Sequence, residues 1–254
     1  MSIWGVIPAA GLGTRIQPLA FSKELLPVGT RRDGETDRPR AVCEYLIDRM
    51  LLAGATRICF VISPAKTDIM NYFGGRIADA AICYAIQPTP TGLCDAIFTA
   101  LPFLSPADDV LVGLPDTVWF PEGGFRSLPE RSFSFLLFPV DRPELFDRVL
   151  SDAQGRVREV QVKTPEASTK WIWGAFRVPA LDLESLHQLW LERCREDQYI
   201  GTLVNEYIRR GAVVNAVRSG ERYVDVGTLH GYREAVKLLS RDDRQYSEEL
   251  NVAA

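Results

Sequence analysis

The chain has 254 residues, of which 46% are hydrophobic and 24% are charged, and its formal net charge is −4. These values are typical of a globular protein long enough to bury a substantial core, and no apolar run is long enough to span a membrane. The acidic balance excludes a broad surface for nucleic acid or an anionic membrane, so any phosphate site must be a local pocket of arginine and lysine.

The first predicted element is a short apolar strand that closes at residues 6–7, and a segment of small residues follows it. That segment, residues 9–15, reads A-A-G-L-G-T-R. Gly11 and Gly13 allow successive backbone N–H groups to face one anion without a Cβ atom in the way. The pattern predicts a phosphate-binding loop at the end of the strand, although a lone GxG is also common in ordinary turns.

Two positive charges support the phosphate interpretation. Arg15 adds a guanidinium fork that matches phosphate oxygens, and Lys23 adds a compact charge eight residues later. Two other glycine loops fail on spacing, because Ile16 leaves the dinucleotide motif GxGxxG incomplete and no GxxxxGK[ST] follows. An NAD-dependent oxidoreductase would also need an acidic residue at the end of the second strand, where Ser63 lies.

Strands and helices alternate through the rest of the first half. Strands are predicted over residues 57–63, 81–87 and 109–114, and helices over residues 40–53, 68–73 and 92–104. This βαβ rhythm is typical of a doubly wound, mostly parallel sheet. The polar segment 29–38 carries two glycines and predicts a surface loop, either a solvated excursion or a flap over the site.

The second half is less regular. Strands are predicted over residues 132–140, 156–163, 171–178 and 213–218, and helices over residues 183–194, 201–210 and 229–240. Consecutive strands without a helix between them indicate antiparallel additions to the sheet. Because no linker divides the chain, we predict a single α/β domain over residues 1–254, with a loose tail over residues 241–254.

Two further candidates lie where predicted strands end. Gln87 opens the turn Q-P-T-P-T-G and offers a donor and an acceptor to the edge of a base, while Gly92 allows a flat ring to lie against the backbone. By itself the turn also fits a rigid helix entry. Asp116 follows the strand over residues 109–114, at the end where ligands of open α/β sheets bind, although acidic residues there are also common as caps.

Cysteines and histidines show no metal or nucleophile pattern. The five cysteines are scattered without a CxxC pair, which argues against a disulfide framework or a zinc site. His187 and His230 lie in or near helical patterns without a serine or cysteine elbow, so we expect no catalytic triad. Because Met1 and Ser2 lead directly into the first strand, we expect no signal peptide and a cytoplasmic protein.

In this order, the motifs resemble those of sugar-1-phosphate nucleotidylyltransferases, especially the enzymes that combine glucose-1-phosphate with UTP or dTTP. The signature GxGTR, followed by SK and LLP, matches residues 11–27, and further matches lie at residues 87–96, 113–116, 163–174 and 223–228. The resemblance covers nearly the whole chain. It implies the Rossmann-like fold of nucleotide-diphospho-sugar transferases, with a mixed sheet.

The resemblance also implies roles for individual residues. Nucleotide binding falls to Ala10, Gly11, Gly13, Thr14, Arg15, Gln87 and Gly92. Sugar-phosphate binding falls to Val162, Lys163 and Gly174. Neutralisation of the reacting phosphates falls to the catalytic residues Arg15, Lys23 and Lys163. Asp116 and Asp225 would hold Mg²⁺, which takes one or two carboxylates and completes its octahedron with phosphate oxygens and water.

The sequence departs from the family pattern on the sugar side. The glutamate of the family's EKP motif is replaced by Val162, and the family's FG or YG turn is replaced by Phe146 and Asp147. Both positions touch the sugar in the family, so the identity of the sugar stays open. A lysine at the end of a strand is usually only solvated, so the role of Lys163 depends on the motif match.

The implied activity is Mg²⁺-dependent transfer of a nucleotidyl group from UTP or dTTP to a sugar-1-phosphate, which gives an NDP-sugar and pyrophosphate in nucleotide-sugar biosynthesis. CTP stays open as a donor. The partners are then a nucleoside triphosphate and a sugar-1-phosphate, without nucleic acid or membrane, and the resemblance allows a homo-oligomer. The alternative is a non-catalytic regulatory protein that binds a sugar nucleotide on the same fold, against which the retained aspartates, arginine and lysines argue.

Overall fold

The computed structural model of the chain describes residues 2–165 and 168–252, with side chains as far as residue 240. The strands are β1 (Ile3–Pro8), β2 (Pro27–Asp33), β3 (Thr36–Ala41), β4 (Arg57–Ile62), β5 (Arg76–Ile77), β6 (Ala80–Ile86), β7 (Asp109–Gly113), β8 (Thr117–Phe120), β9 (Ser134–Pro139), β10 (Arg148–Ser151), β11 (Val157–Gln161), β12 (Trp171–Pro179), β13 (Asn215–Val217) and β14 (Arg222–Asp225). The helices are α1 (Val42–Leu52), α2 (Thr67–Phe73), α3 (Leu93–Phe98), α4 (Ala180–Glu192), α5 (Ile200–Arg209) and α6 (Leu229–Val252).

Within residues 2–165 and 168–252, ten strands form one mixed sheet. Its centre is parallel, with β7, β1, β4 and β6 side by side in that order. β12 joins β7 in the antiparallel direction, and β9 and β10 pair with β12 in the same way. β11 extends the sheet beyond β10, and β13 pairs with β9. The predicted α/β fold with antiparallel additions to a parallel sheet is confirmed.

The parallel strands are buried on both faces because consecutive side chains point to opposite sides of a strand. Val6 and Val61 pack into the hydrophobic core that includes residues of α3, α4 and α5. Their neighbours Ile7 and Phe60 pack into the second core, which includes residues of α1 and α2. Each strand therefore needs apolar residues at consecutive positions, which is why continuous apolar runs identified them in the sequence.

The parallel centre also determines where a site can form. Because β1, β4, β6 and β7 run in one direction, the segments that leave their carboxyl ends emerge at one edge of the sheet. These segments are residues 9–22, 63–66, 87–92 and 114–116. The predicted phosphate loop, base-binding turn and first aspartate therefore share one edge.

Residues 29–38 lie at the surface, as predicted, but the prediction of a loop is wrong. β2 and β3 form an antiparallel hairpin in which Asp33 pairs with Thr36 and Gly34 adopts a φ of +63° at the turn. Arg31 and Arg38 both bind the carboxylate of Glu44 on α1, at 3.1 and 2.8 Å. The hairpin packs against α1 through ion pairs in addition to apolar contacts. Its strands are therefore rich in charged side chains and lack the apolar pattern by which a strand is predicted.

Further differences concern short elements and helix ends. The strands β5, β8, β10 and β14 were not predicted, and the helix expected over residues 92–104 ends at Phe98, with a separate 3₁₀ turn over Leu101–Phe103 that contains Pro102. The backbone of α6 continues as helix through Val252. The predicted loose tail over residues 241–254 falls on residues whose side chains, and for 253–254 also the backbone, lie outside the described part.

None of the helices that the structure describes is long and apolar enough to cross a membrane. The five cysteines are free thiols. Among the described residues, no group of three or more histidines, cysteines or carboxylates could hold a metal ion by itself.

The Glu44 carboxylate gives a stability prediction. Burial alone would raise the pKa of Glu44, but its bonds to Arg38 and Tyr72 and the charge of Arg31 hold it below the ordinary value of 4.5. We expect Glu44→Gln to lower the free energy of unfolding at pH 7 by about 1–3 kcal/mol, because charge-assisted bonds to a buried carboxylate are lost. Urea unfolding of both proteins measures this difference.

The same carboxylate predicts a pH dependence. Because its pKa is lower in the folded state, its contribution to stability is complete above about 4.5 and is lost as the pH falls through the folded pKa. The stability difference between wild type and Glu44→Gln should therefore shrink on acidification. Glu159→Gln, at an exposed position of β11, is the control. Equal unfolding free energies of wild type and Glu44→Gln at pH 7 would contradict the prediction.

Candidate active site

The predicted phosphate loop leaves β1 at the carboxyl edge of the sheet. Ala9 is fixed there because its N–H donates to the carbonyl of Val61 in β4, at 2.7 Å. Ala10 is buried, whereas Gly11, Thr14 and Arg15 are exposed. Backbone and side-chain donors of the loop are therefore presented to the solvent side of the edge.

Gly13 is required by its conformation and by its neighbour. Its φ is +64°, in the left-handed region that glycine favours, and a Cβ atom built on it would lie 2.8 Å from Cδ of Lys23. The stem of Lys23 therefore runs across Gly13. Loop and lysine, which the sequence placed together only by motif, are in direct contact.

Lys23 and Asp116 form an ion pair of 2.5 Å, and their side chains are 15% and 9% exposed. Burial lowers the pKa of Lys23, but the charges of Asp116 and Glu24 outweigh it and the pKa is raised. For Asp116, burial raises the pKa, but the charge and hydrogen bond of Lys23 hold it below the ordinary value. Both groups are therefore charged at neutral pH.

Arg15 and Asp225 form a second ion pair, of 3.0 Å, on the open side of the same edge. The Arg15 side chain is 63% exposed, so this pair contributes little to stability and can be exchanged for other partners. Asp225 ends β14, which pairs with β8 so that Asp225 lies opposite Thr117. The N–H of Val226 also donates to the carbonyl of Asp116, at 2.8 Å. The β8–β14 pairing thus brings the two distant aspartates together.

Gly227 marks the point where these side chains meet. A Cβ atom built on it would lie 2.7 Å from Oδ2 of Asp116, 2.9 Å from Oδ1 of Asp225 and 3.2 Å from a guanidinium nitrogen of Arg15. Its N–H donates to Oδ1 of Asp225, at 2.8 Å. Sequence reasoning gave Gly227 no role, although its place two residues after the second aspartate in V-D-V-G-T was the available signal.

The donor set fits Mg²⁺. Two carboxylates, from Asp116 and Asp225, approach one glycine that leaves room between them. With two protein carboxylates, the remaining positions of an octahedron are left to phosphate oxygens and water, which is the usual arrangement for Mg²⁺ with nucleotides. Binding of Mg²⁺ stays a prediction.

The predicted base-binding turn is held by internal hydrogen bonds that the sequence did not predict. Gln87 is 2% exposed, and its Nε2 donates to Asp95, at 2.6 Å. Thr91 donates to the same carboxylate. A Cβ atom on Gly92 would lie 2.9 Å from the backbone of Gln198, and the φ of Gly92 is +127°. Gly92 is therefore required by the close approach of another chain segment, and its contact with a base stays a prediction.

The predicted sugar-side residues form a neighbouring group. Lys163 is exposed, adopts a φ of +50° and lies with Nζ 5.5 Å from the ring centroid of Tyr199. Burial raises the pKa of Asp147, although the charge and the N–H of Lys163 oppose this effect. Val162 packs against α5, since a Cβ atom on Gly201 would lie 2.6 Å from its Cγ2. Lys163 and Asp147 are thus adjacent, while Val162 is used in packing.

Gly174, the remaining predicted sugar-side residue, packs against two aromatic rings. It lies at an irregularity of β12, and a Cβ atom on it would lie 2.5 Å from the ring of Tyr223 and 2.7 Å from that of Phe138. Burial and the charges of Asp225 and Asp116 raise the pKa of Tyr223 well above its ordinary value. Tyr223 is therefore in contact with Gly174 and within the electrostatic influence of both carboxylates, and the sequence assigned no role to it.

Gly227 gives a prediction for the carboxylate cluster. We expect Gly227→Ala to lower the free energy of unfolding by about 1–3 kcal/mol, because the new methyl group must displace a carboxylate oxygen. Gly75→Ala is the matched control, since a Cβ atom there meets nothing within 4 Å. Urea unfolding measures both, and Gly227→Ala as stable as Gly75→Ala would contradict the described packing.

Comparison with known proteins gives consistent results over the whole chain. The family model described as nucleotidyl transferase matches residues 4–242. Glucose-1-phosphate thymidylyltransferase of Neisseria meningitidis is 26% identical, over 92% of this chain and 82% of the relative. UTP–glucose-1-phosphate uridylyltransferase AglF of Haloferax volcanii is 24% identical, over 96% of this chain and 99% of the relative.

Solved structures support the same fold. The UTP-bound UGPase of Acinetobacter baumannii superimposes with a TM-score of 0.76 at 20% identity, over 98% of this chain and all of that one. At this identity the likeness concerns the fold. The family match, together with the curated relatives, confirms the resemblance on which the sequence interpretation depended: the chain belongs to the nucleotidyl transferase family, as a sugar-1-phosphate nucleotidylyltransferase.

Proposed function

We propose that this protein transfers a nucleotidyl group from UTP or dTTP to a sugar-1-phosphate, with Mg²⁺, and releases pyrophosphate. The observation that carries the proposal is the convergence of Arg15, Lys23, Asp116 and Asp225 at one strand edge. The names of the relatives, which specify thymidylyl and uridylyl transfer to glucose-1-phosphate, support the choice of nucleotides.

The reaction requires positioning and charge neutralisation rather than a covalent intermediate. An oxygen of the sugar phosphate attacks the α-phosphorus of the nucleotide, and the bond from that phosphorus to the β-phosphate oxygen breaks, so pyrophosphate leaves. A phosphate monoester is already anionic near neutral pH, so no general base is needed. Bound between Asp116 and Asp225, Mg²⁺ would neutralise charge on the phosphate oxygens.

Arg15, Lys23 and Lys163 have different roles in this reaction. The loop amides and the exposed Arg15 bind the triphosphate, for which Arg15 exchanges its carboxylate partner. Lys23 is held in place by Asp116 and by the backbone of Gly13, so its charge is oriented before substrate binds. Lys163, beside the sugar-side residue Asp147, neutralises the attacking phosphate.

Base selection follows from the way in which Gln87 is held. Asp95 can only accept hydrogen bonds as a carboxylate, so it keeps Nε2 of Gln87 on its own side. The second bond of Nε2, to the carbonyl of Gly92, is long at 3.5 Å, so a base would be able to replace it. An amide fixed in this way presents one order of donor and acceptor, which we assign to the carbonyl and N–H of uracil or thymine. Pro88 and Pro90 leave the turn little freedom to widen for a purine.

Use of the sugar-1-phosphate should differ from that of the named relatives. Val162 cannot accept a hydrogen bond where the family has a glutamate, and an unpaired buried hydroxyl costs about 1–3 kcal/mol. We therefore propose weak use of glucose-1-phosphate, or preference for a sugar that lacks the matching hydroxyl.

The function is tested by a panel of nucleoside triphosphates and sugar-1-phosphates in which pyrophosphate release is measured. We expect Asp116→Asn and Asp225→Asn each to lower kcat at least about a hundredfold, because each removes charge that faces the transferring phosphoryl group. Asp79→Asn, at an exposed position, should be unchanged. No product from any pair with folded wild-type protein would favour the regulatory alternative, and near-normal turnover of either site variant would refute the metal assignment.

The base assignment is tested by kcat/KM for five nucleotides. Wild type should prefer UTP or dTTP over ATP and GTP by at least about tenfold, a difference of about 1.4 kcal/mol. Asp95→Asn should reduce the preference for UTP over CTP, because an asparagine can donate as well as accept and so lets the Gln87 amide turn over. Thr91→Val, which removes only the other bond to Asp95, should keep it. ATP or GTP as the best donor, or an unchanged preference in Asp95→Asn, would refute the role of Gln87.

A further inference from the structure

Two residues at the start of α2, Lys66 and Asp68, bind the segment that carries Lys23. Lys66 precedes α2 and is 8% exposed. Its Nζ donates to the carbonyl of Ala9 at 2.6 Å and to the two carboxylate oxygens of Glu24 at 2.8 and 2.9 Å. Since an ammonium has three donors, these bonds occupy all of them, and Lys66 is not available to a phosphate.

A second anchor lies two residues further along. Asp68 accepts the N–H of Ser22 at 2.6 Å and its hydroxyl at 2.7 Å. The residues on both sides of Lys23 are therefore tied to α2, one through Asp68 and the other through Lys66. The backbone from which Lys23 projects is fixed on both sides.

Lys66 also joins this segment to the phosphate loop. Glu24 is fully buried, and burial raises its pKa although the charges of Lys66 and Lys23 oppose this effect. The carbonyl that Lys66 binds belongs to Ala9, where the loop begins, and the stem of Lys23 crosses Gly13 in the same loop. One buried ammonium thus sets the distance between the loop and the lysine that it supports.

We propose that Lys66 is a positioning residue for nucleotidyl transfer: through its bonds to Glu24 and Ala9, it aligns Lys23 with the loop. Asp68 anchors the same segment on the other side of Lys23, through Ser22. The inference rests on the proposed function of Lys23. Its physical basis is that a displacement of about 1 Å at a charge that stabilises the reacting phosphates can cost up to about a hundredfold in rate.

The test is a double-mutant cycle between Lys66 and Lys23 in the full chain. Lys66→Met should lower kcat at least about tenfold in wild type. In the Lys23→Met background the same change should lower kcat less than about threefold, because residues that act through one another are not additive. An equal loss in both backgrounds, or kcat of Lys66→Met within about twofold of wild type, would overturn the proposal.

A double variant that removes both buried charges is the control for effects on folding. Lys66→Met leaves Glu24 without its partner, whereas Glu24→Gln/Lys66→Met has no unpaired charge and should recover most of the lost thermal stability. Its kcat should stay low, because the bond to Ala9 is still missing. Recovery of kcat together with Tm would show that the pair is only structural. Lys237→Met, at an exposed position of α6, is the matched control and should change neither.

A binding experiment separates this inference from the proposed function. The same cycle, measured as the affinity for UTP by calorimetry, needs no turnover. We expect Lys66→Met to weaken binding at least about threefold in wild type and to have little effect in the Lys23→Met background. Inactive wild-type protein would refute the proposed function, while the binding cycle would still decide the role of Lys66.

Discussion

The arrangement of the candidate site follows from one constraint: a buried charge needs a partner of opposite charge. Lys23 and Asp116 are nearly enclosed at the end of a parallel strand, where an unpaired ion would cost several kcal/mol. Each cation of the carboxylate cluster already faces an anion, so the cluster carries little net charge. Under the proposed function, phosphate oxygens would compete with the carboxylates for Lys23 and Arg15, and a divalent cation would compete with the same side chains for the carboxylates. Substrate binding would then be an exchange of ion pairs that already exist in the folded chain, which agrees with its modest net charge.

Rigid surroundings direct this exchange. The 3₁₀ turn over Lys23–Leu25 is held from behind by the start of α2, and the hairpin of β2 and β3 continues from it, fixed on α1 through Glu44. Arg15, by contrast, projects from an exposed loop and is 63% exposed. The two cations therefore differ in their surroundings: Lys23 is preorganised, which suits the proposed stabilisation of developing charge, whereas Arg15 is held only by an exposed ion pair that a substrate would be able to replace.

The sugar side is where this chain differs from the pattern of its family. Val162 is used in packing against Gly201, while the neighbouring position Asp147 brings a carboxylate to the side of Lys163. A carboxylate has thus been lost from one residue and gained at another close by. The nucleotide side keeps the family motifs, which supports the proposal that the transfer reaction is common to the family while use of the acceptor differs.

The sequence by itself determined the parallel centre of the sheet, the glycine loop that leaves β1 and the family, because strands buried on both faces need continuous apolar runs and the motifs lie in the family's order. It could not reveal the hairpin over residues 27–41, whose arginines find their partners, Glu44 and Asp48 of α1, only in the folded chain. Nor could it show why Gly92 and Gly227 are glycines, since Gln198 and Asp116 lie far away in the chain. The meeting of Asp116 and Asp225 was expected only from resemblance, because it depends on the register of β8 and β14. Contacts between distant segments leave no periodic pattern in the sequence, so only the tertiary structure decided them.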